Sequence, residues 1–156
     1  MIKVYTDGAC APTNPGHGGF AYVAIHPDGE VVTHAEAYQK TTNNRMELMA
    51  VLRAMESFHG HRIHIYSDST YVVNPISSGK LRSKNESDIV KQPNSDLWLR
   101  IKKLLDSNTK CTWVRGHNGD EYNEMADRLS YEIIGKQKTK KKDTGYKPKK
   151  KINPFL

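Results

Sequence analysis

Ile2-Lys3-Val4-Tyr5-Thr6-Asp7-Gly8 and Ile63-His64-Ile65-Tyr66-Ser67-Asp68-Ser69 decide how this chain is read. Each is a short apolar run closed by the same cadence, Tyr-Thr-Asp in one and Tyr-Ser-Asp in the other. Side chains alternate along a strand, so each aspartate shares a face with the tyrosine two residues before it. If the two strands are parallel neighbours, both carboxylates arrive at one end of the sheet, where open α/β sheets place their ligands. Like charges that close repel unless a cation lies between them. The pair therefore asks for a metal.

Working outward, 2–7 reads as a strand, followed by a turn-rich stretch over 8–19 with Asn14-Pro15-Gly16 at its centre. Residues 19–26 and 30–39 read as two further strands, joined by the hairpin signal Pro27-Asp28-Gly29. Over 46–58, Leu48, Val51, Leu52 and Met55 keep helical spacing. A strand over 62–68 and a short helix over 69–76 come next, then a polar segment over 77–94. A helix over 97–105, a strand over 109–114, a glycine-flanked loop over 116–120 and a helix over 122–134 complete the pattern. Three antiparallel strands followed by alternating helices and strands predict an α/β fold: a mixed sheet covered by helices.

Length and charge bound the class. At 156 residues the chain reads as one domain over 1–135 with a core of its own, and a tail over 136–156. The net charge of +7 is unevenly spread, because nine lysines and one aspartate between Lys136 and Lys151 give +8 and leave −1 for the rest. A segment of that composition reads as disordered, and as attractive to polyanions such as nucleic acid. Cys10 and Cys111 are far apart and read as reduced thiols in a cytoplasmic protein. Met1-Ile2-Lys3 enters a strand pattern directly, without the look of a signal peptide, and no run approaches a membrane span.

Five blocks then carry a resemblance. Thr6-Asp7-Gly8-Ala9-Cys10 with Asn14-Pro15-Gly16-x-Gly18-Gly19, then Thr41 to Leu48, Ser67-Asp68-Ser69, Trp113-Val114-x-Gly116-His117 and Asn123-Glu124-x-Ala126-Asp127 together resemble type 1 ribonuclease H, over about residues 2 to 134. The resemblance implies the ribonuclease H-like fold, a five-stranded mixed sheet of order 3-2-1-4-5 with helices on both faces. It also implies endonucleolytic hydrolysis of the RNA strand of an RNA–DNA hybrid by two metal ions, with 5′-phosphate and 3′-hydroxyl products. Asp7, Glu47, Asp68 and Asp127 match the family's metal-binding carboxylates, and His117 its mobile histidine. Mg²⁺ suits such oxygen donors, with Mn²⁺ as the other choice, and two ions can clamp an in-line displacement. Asn14, Asn43 and Asn44, with the Cys10 backbone, match positions that meet the RNA strand; Lys40, Thr42 and Asn94 match a phosphate pocket for the DNA strand.

Each of these residues has a plainer reading when taken alone. Asp7-Gly8 is a turn signal, Asp68 a helix cap, Glu47 a solvated helix residue and Asp127 a surface ion-pair partner. His59, His61 and His64 read as ordinary imidazoles, Cys10 and Cys111 as small core residues, Trp98 and Trp113 as core aromatics. Two other functions fit the same pattern less well: a junction resolvase on this fold, which the tandem asparagines and Gly-His loop argue against, and a hybrid-binding module, in which a carboxylate should be missing. The segment 77–93 departs from relatives that carry a longer basic handle with tryptophans, since it has no aromatic residue. The lysine tail is expected to compensate as an electrostatic tether, so that deletion after Gly135 raises KM and flattens the salt dependence. No apolar stripe is left over, and a monomer is expected.

Overall fold

The structure, a computed structural model, describes residues 1–149. Its first three strands, β1 (Ile2–Cys10), β2 (Gly16–Ile25) and β3 (Val31–Thr41), form an antiparallel meander. There follow α1 (Asn43–Ser57), β4 (Ile63–Ser67), α2 (Thr70–Ser77), the single turns α3 (Lys80–Ser83) and α4 (Glu86–Ile89), α5 (Ser95–Leu104), β5 (Thr109–Trp113) and α6 (Glu121–Lys136). The sheet order is β3-β2-β1-β4-β5, with β4 parallel to both β1 and β5.

The matching cadences of β1 and β4 are realised in the register. Tyr5 lies opposite Tyr66, and their rings stack with centroids 4.9 Å apart. Two residues further on, Asp7 still pairs with Ala21 of β2 while Asp68 lies just past the end of β4, so both stand at the end of the β1–β4 pairing. Val4, Phe20, Leu48, Leu52 and Ile65 are fully buried between the sheet and α1, each contributing about 1.5–3 kcal/mol of transfer free energy. α6 covers the opposite face, where Tyr122 packs on Tyr5 with centroids 5.7 Å apart.

Element boundaries shift where polar contacts decide them. α1 starts at Asn43, ahead of its first apolar position, because the Thr42 hydroxyl accepts from the Arg45 amide at 3.2 Å. β1 continues through the glycine-rich stretch, with Gly8, Ala9 and Cys10 opposite Phe20, Gly19 and Gly18. The polar segment is folded around Leu81 and Ile89, both buried. Lys102 of α5 anchors it by donating to the Arg82 and Lys84 carbonyls at 2.7 and 2.8 Å.

The tail differs most from expectation. Among the described residues after Gly135, Lys136 ends α6, 137–141 lie along the free edge of β3, and Asp143 turns in to Thr41 and Arg45, so the expected disorder does not hold there. Gln137 accepts from the Ala37 amide at 2.9 Å, the Lys141 amide donates to Ala37 O at 2.9 Å and the Gln39 amide donates to Lys141 O at 2.8 Å. Lys141 also pairs with the buried Glu36. An exposed strand edge is thereby covered. The remainder of the expected tail, 150–156, lies outside the described residues. Among the described residues no helix is long and apolar enough to cross a membrane.

Candidate active site

Asp7 is placed inside β1, just past its pairing with β4, Asp68 just beyond the end of β4, and Glu47 by the second turn of α1. Gly8 lets the helix in. A Cβ at Gly8 would collide with the Glu47 amide nitrogen and the Met46 carbonyl carbon, so only hydrogen there permits α1 to bring Glu47 over Asp7. The three carboxylates each present an oxygen within 4.8 Å of the others, and they are the sole metal-capable cluster found among the described residues. Asp127 of α6 stands beside Asp7 and Asp68, outside that tight trio.

The electrostatics follow from crowding and burial. Burial raises the Asp7 carboxyl to about 7; a bond with Glu47 opposes the rise, and Asp127 and Asp68 add to it. Glu47 is raised well above the usual range, first by burial and then by Asp7, so the pair retains a proton near neutral pH in the absence of a cation. Its Oε2 is buried without any hydrogen-bond partner. Asp68 is also raised, by burial and then by Asp127, with His117 acting against the shift. An orphaned carboxylate oxygen inside a ring of acids fits a hard divalent cation, which would displace the proton and satisfy the oxygen.

His117 lies on an exposed loop beside this cluster, with φ 53°, and the Gly119 amide donates to Glu124 at 3.2 Å. Gly116 brings the loop close: a Cβ there would stand 2.6 Å from Asp68 Oδ2. Trp113 is not a core residue. It is 47% exposed, and its Nε1–H donates to the Asp68 carbonyl at 3.0 Å, pinning the end of β4. That role was hidden in the sequence, where the residue looked like part of an apolar strand.

A polar rim adjoins the acids. Asn43 Oδ1 accepts from the Cys10 amide at 2.7 Å, and the Asn43 amide donates to Asn14 Oδ1 at 3.1 Å, so Cys10, Asn14 and Asn43 form one hydrogen-bonded group. Asn44 is exposed in the same first turn of α1. Thr42 and Asn94 line a single cavity of about 350 Å³, whereas Lys40 is exposed on β3 and is not part of its wall. Asn94 has φ 60° and donates to Tyr71 Oη at 3.0 Å.

The remaining candidates are structural. Burial pushes the Cys10 and Cys111 thiols up to about 11 and about 12, away from nucleophile character. His64 stacks on Tyr66 at 4.2 Å and bonds Thr112 at 2.6 Å. Trp98 is buried.

Comparison with known proteins bears on the family and the fold. The family model described as RNase H matches residues 1–134. Ribonuclease H of Neorickettsia sennetsu is 40% identical over 137 residues, covering 81% of this chain and 88% of that protein. Ribonuclease H of Thermoanaerobacter sp. is 38% identical over 159 residues, covering 96% of each. Among solved structures, RNase H1 of Halobacterium salinarum NRC-1 aligns with a TM-score of 0.65 and 25% identity over 86% of this chain and 98% of that one. LC11-RNase H1, solved in complex with an RNA/DNA hybrid, aligns with a TM-score of 0.69 and 24% identity over 87% and 98%. With the family's model spanning its sheet and every helix up to Ile134, this chain belongs to the RNase H family of ribonucleases.

Proposed function

We propose that the protein hydrolyses the RNA strand of RNA–DNA hybrids endonucleolytically, leaving 5′-phosphate and 3′-hydroxyl ends, and that it works as a monomer in the cytoplasm. The observation that carries the proposal is the meeting of Asp7, Glu47 and Asp68 oxygens within 4.8 Å around a partnerless Glu47 oxygen. The hybrid bound to LC11-RNase H1 supports the choice of substrate.

Asp7, Glu47, Asp68 and Asp127 would hold Mg²⁺, with Mn²⁺ able to replace it. Bound at these carboxylates, such ions would supply Lewis-acid activation of an attacking water and charge neutralisation at the leaving 3′ oxygen. A cation held there would favour the ionised forms of Asp7 and Glu47, whose carboxyls burial and mutual crowding raise. Trp113 and Gly116 fix the position of Asp68, and His117, on the exposed loop beside it, is the side chain placed to help the attacking water or the departing product.

Substrate choice rests on the rim. Asn43 uses its side-chain oxygen on Cys10 and keeps its amide NH₂ for a ribose 2′-hydroxyl, a group that both donates and accepts. Asn14 and Asn44 extend this polar surface along the RNA strand. Thr42 and Asn94 take a DNA-strand phosphate, with Lys40 attracting the backbone from outside the cavity.

A gel assay tests the reading: labelled hybrid, double-stranded RNA, single-stranded RNA and a four-way junction, each with Mg²⁺ or EDTA. Cleavage confined to the RNA of the hybrid, and dependent on metal, is the expected result. Junction cutting would indicate a resolvase, and a shifted but intact hybrid a binding module.

A further inference from the structure

The cavity between Thr42 and Asn94 has a wall that the family motifs do not supply. Gly145, Tyr146 and Lys147 of the C-terminal segment line it. The segment is tied in place by Asp143, which is 8% exposed and accepts from the Thr41 hydroxyl at 2.7 Å. Asp143 also binds Arg45 twice, from Nε at 2.8 Å and Nη2 at 3.0 Å.

Arg45 is itself buried, and all five of its N–H groups are engaged. Besides Asp143 it holds Asp96 at 2.8 Å through Nη1 and 2.7 Å through Nη2, and Nη1 reaches Asn94 at 3.4 Å. This guanidinium therefore has nothing left to offer a phosphate. It acts as a post joining the first turn of α1, the start of α5 and the C-terminal segment.

The charges around the cavity then assign a cation. The charged side chains of the wall are Arg45, Asp96 and Lys147; Arg45 and Asp96 cancel and are bonded to each other, so Lys147, exposed at the rim, is the cation left for a phosphate among the lining residues. The caps of two helices, Thr42 of α1 and Asn94 of α5, share the wall, and each helix adds about half a positive charge at its start. Lys147 adds a full positive charge to those dipoles.

We propose that the C-terminal segment completes the DNA-strand phosphate site: Lys147 contacts the phosphate, and the Asp143–Arg45 pair is the positioning device that holds Lys147, Thr42 and Asn94 around one cavity. This rests on the hybrid reading above. It replaces a loose electrostatic tether with a defined contact, and it makes deletion after Gly135 a poor test, because that deletion also strips Arg45 of a buried partner.

The experiment uses the full chain and a hybrid whose DNA-strand phosphates are replaced one at a time by neutral methylphosphonate. Steady-state KM and kcat are measured for wild type, Lys147→Ala, Lys147→Arg and, as a control lysine outside the cavity, Lys142→Ala. Lys147→Ala should raise KM roughly tenfold, with the loss on KM rather than kcat, and lower the salt slope by about 1. Lys147→Arg should restore most of it. One methylphosphonate position should raise KM for wild type and have little further effect in Lys147→Ala. If Lys147→Ala behaves like Lys142→Ala, or every methylphosphonate adds its full penalty in the variant, the inference is wrong while the hybrid reading stands. If wild type leaves the hybrid uncut, the hybrid reading fails and the inference with it.

Discussion

Replacing Gly8 by alanine probes the joint on which the site is built. The added methyl would overlap the Glu47 nitrogen and the Met46 carbonyl carbon and stand 2.7 Å from Met46 Cβ, where ordinary contact begins at 3.4 Å. Two of those three neighbours are helix backbone, so no rotamer change relieves them. α1 must withdraw from β1 by about 1 Å, a shift of the size that costs on the order of a hundredfold in rate when it reaches a catalytic group. Glu47 rides on the displaced turn and separates from Asp7. Overpacking of this kind costs about 1–3 kcal/mol, which for a chain of this size lowers Tm by roughly 2–10 °C. Cleavage of labelled hybrid at saturating substrate, well below the variant's Tm, should show kcat down about a hundredfold, with part of the loss recovered at high Mg²⁺. A variant that keeps kcat within about threefold of wild type would refute the claim that contact of Gly8 with α1 sets the carboxylate geometry.

Further outcomes follow from the same geometry. In EDTA, folded Asp7 titrates near 7 against 3.8 for the free group, so between those values the native state binds the extra proton. Metal-free stability should then fall as pH rises from about 4 to about 7, by at most about 4 kcal/mol shared with Glu47, and Mg²⁺ should restore it. Urea melts across that range decide it, and a metal-free stability that climbs steadily with pH would contradict the shift. Asp68→Asn should abolish cleavage while hybrid binding in a gel shift survives; a near-normal rate in Mg²⁺ would remove Asp68 from the site. Asp143→Ala leaves a buried guanidinium with half its anionic partners, and should cost about 3–5 kcal/mol, on the order of 10 °C in Tm. A drop of less than about 2 °C would show that the C-terminal segment is not locked to Arg45.

What the sequence disclosed, and what it did not, divides along physical lines. The pairing of β1 with β4 was readable because Tyr-x-Asp recurs at the end of two apolar runs, and period-2 alternation fixes which side chains share a face. The start of α1 was not, because apolar spacing cannot register Asn43-Asn44-Arg45, a polar first turn held by its cap. Trp113 looked like core by residue type, yet its strand lies at a sheet edge, where one face is open and an indole can serve as a donor. The tail was the largest miss. A run of lysines reads as solvated, and the single aspartate within it gave no hint that a buried arginine, 98 residues away, was waiting for a counter-charge. Lys40 was placed in the phosphate cavity by likeness of position, while the cavity's own lysine comes from a segment beyond the reach of the family match.

The most direct test of the central claim is anomalous diffraction from crystals of the protein soaked in Mn²⁺ with hybrid bound to an Asp127→Asn variant. The account predicts an anomalous peak coordinated jointly by Asp7, Glu47 and Asp68 and in contact with an RNA-strand phosphate. A peak elsewhere, or none among those three carboxylates while hybrid occupies the groove, would contradict it.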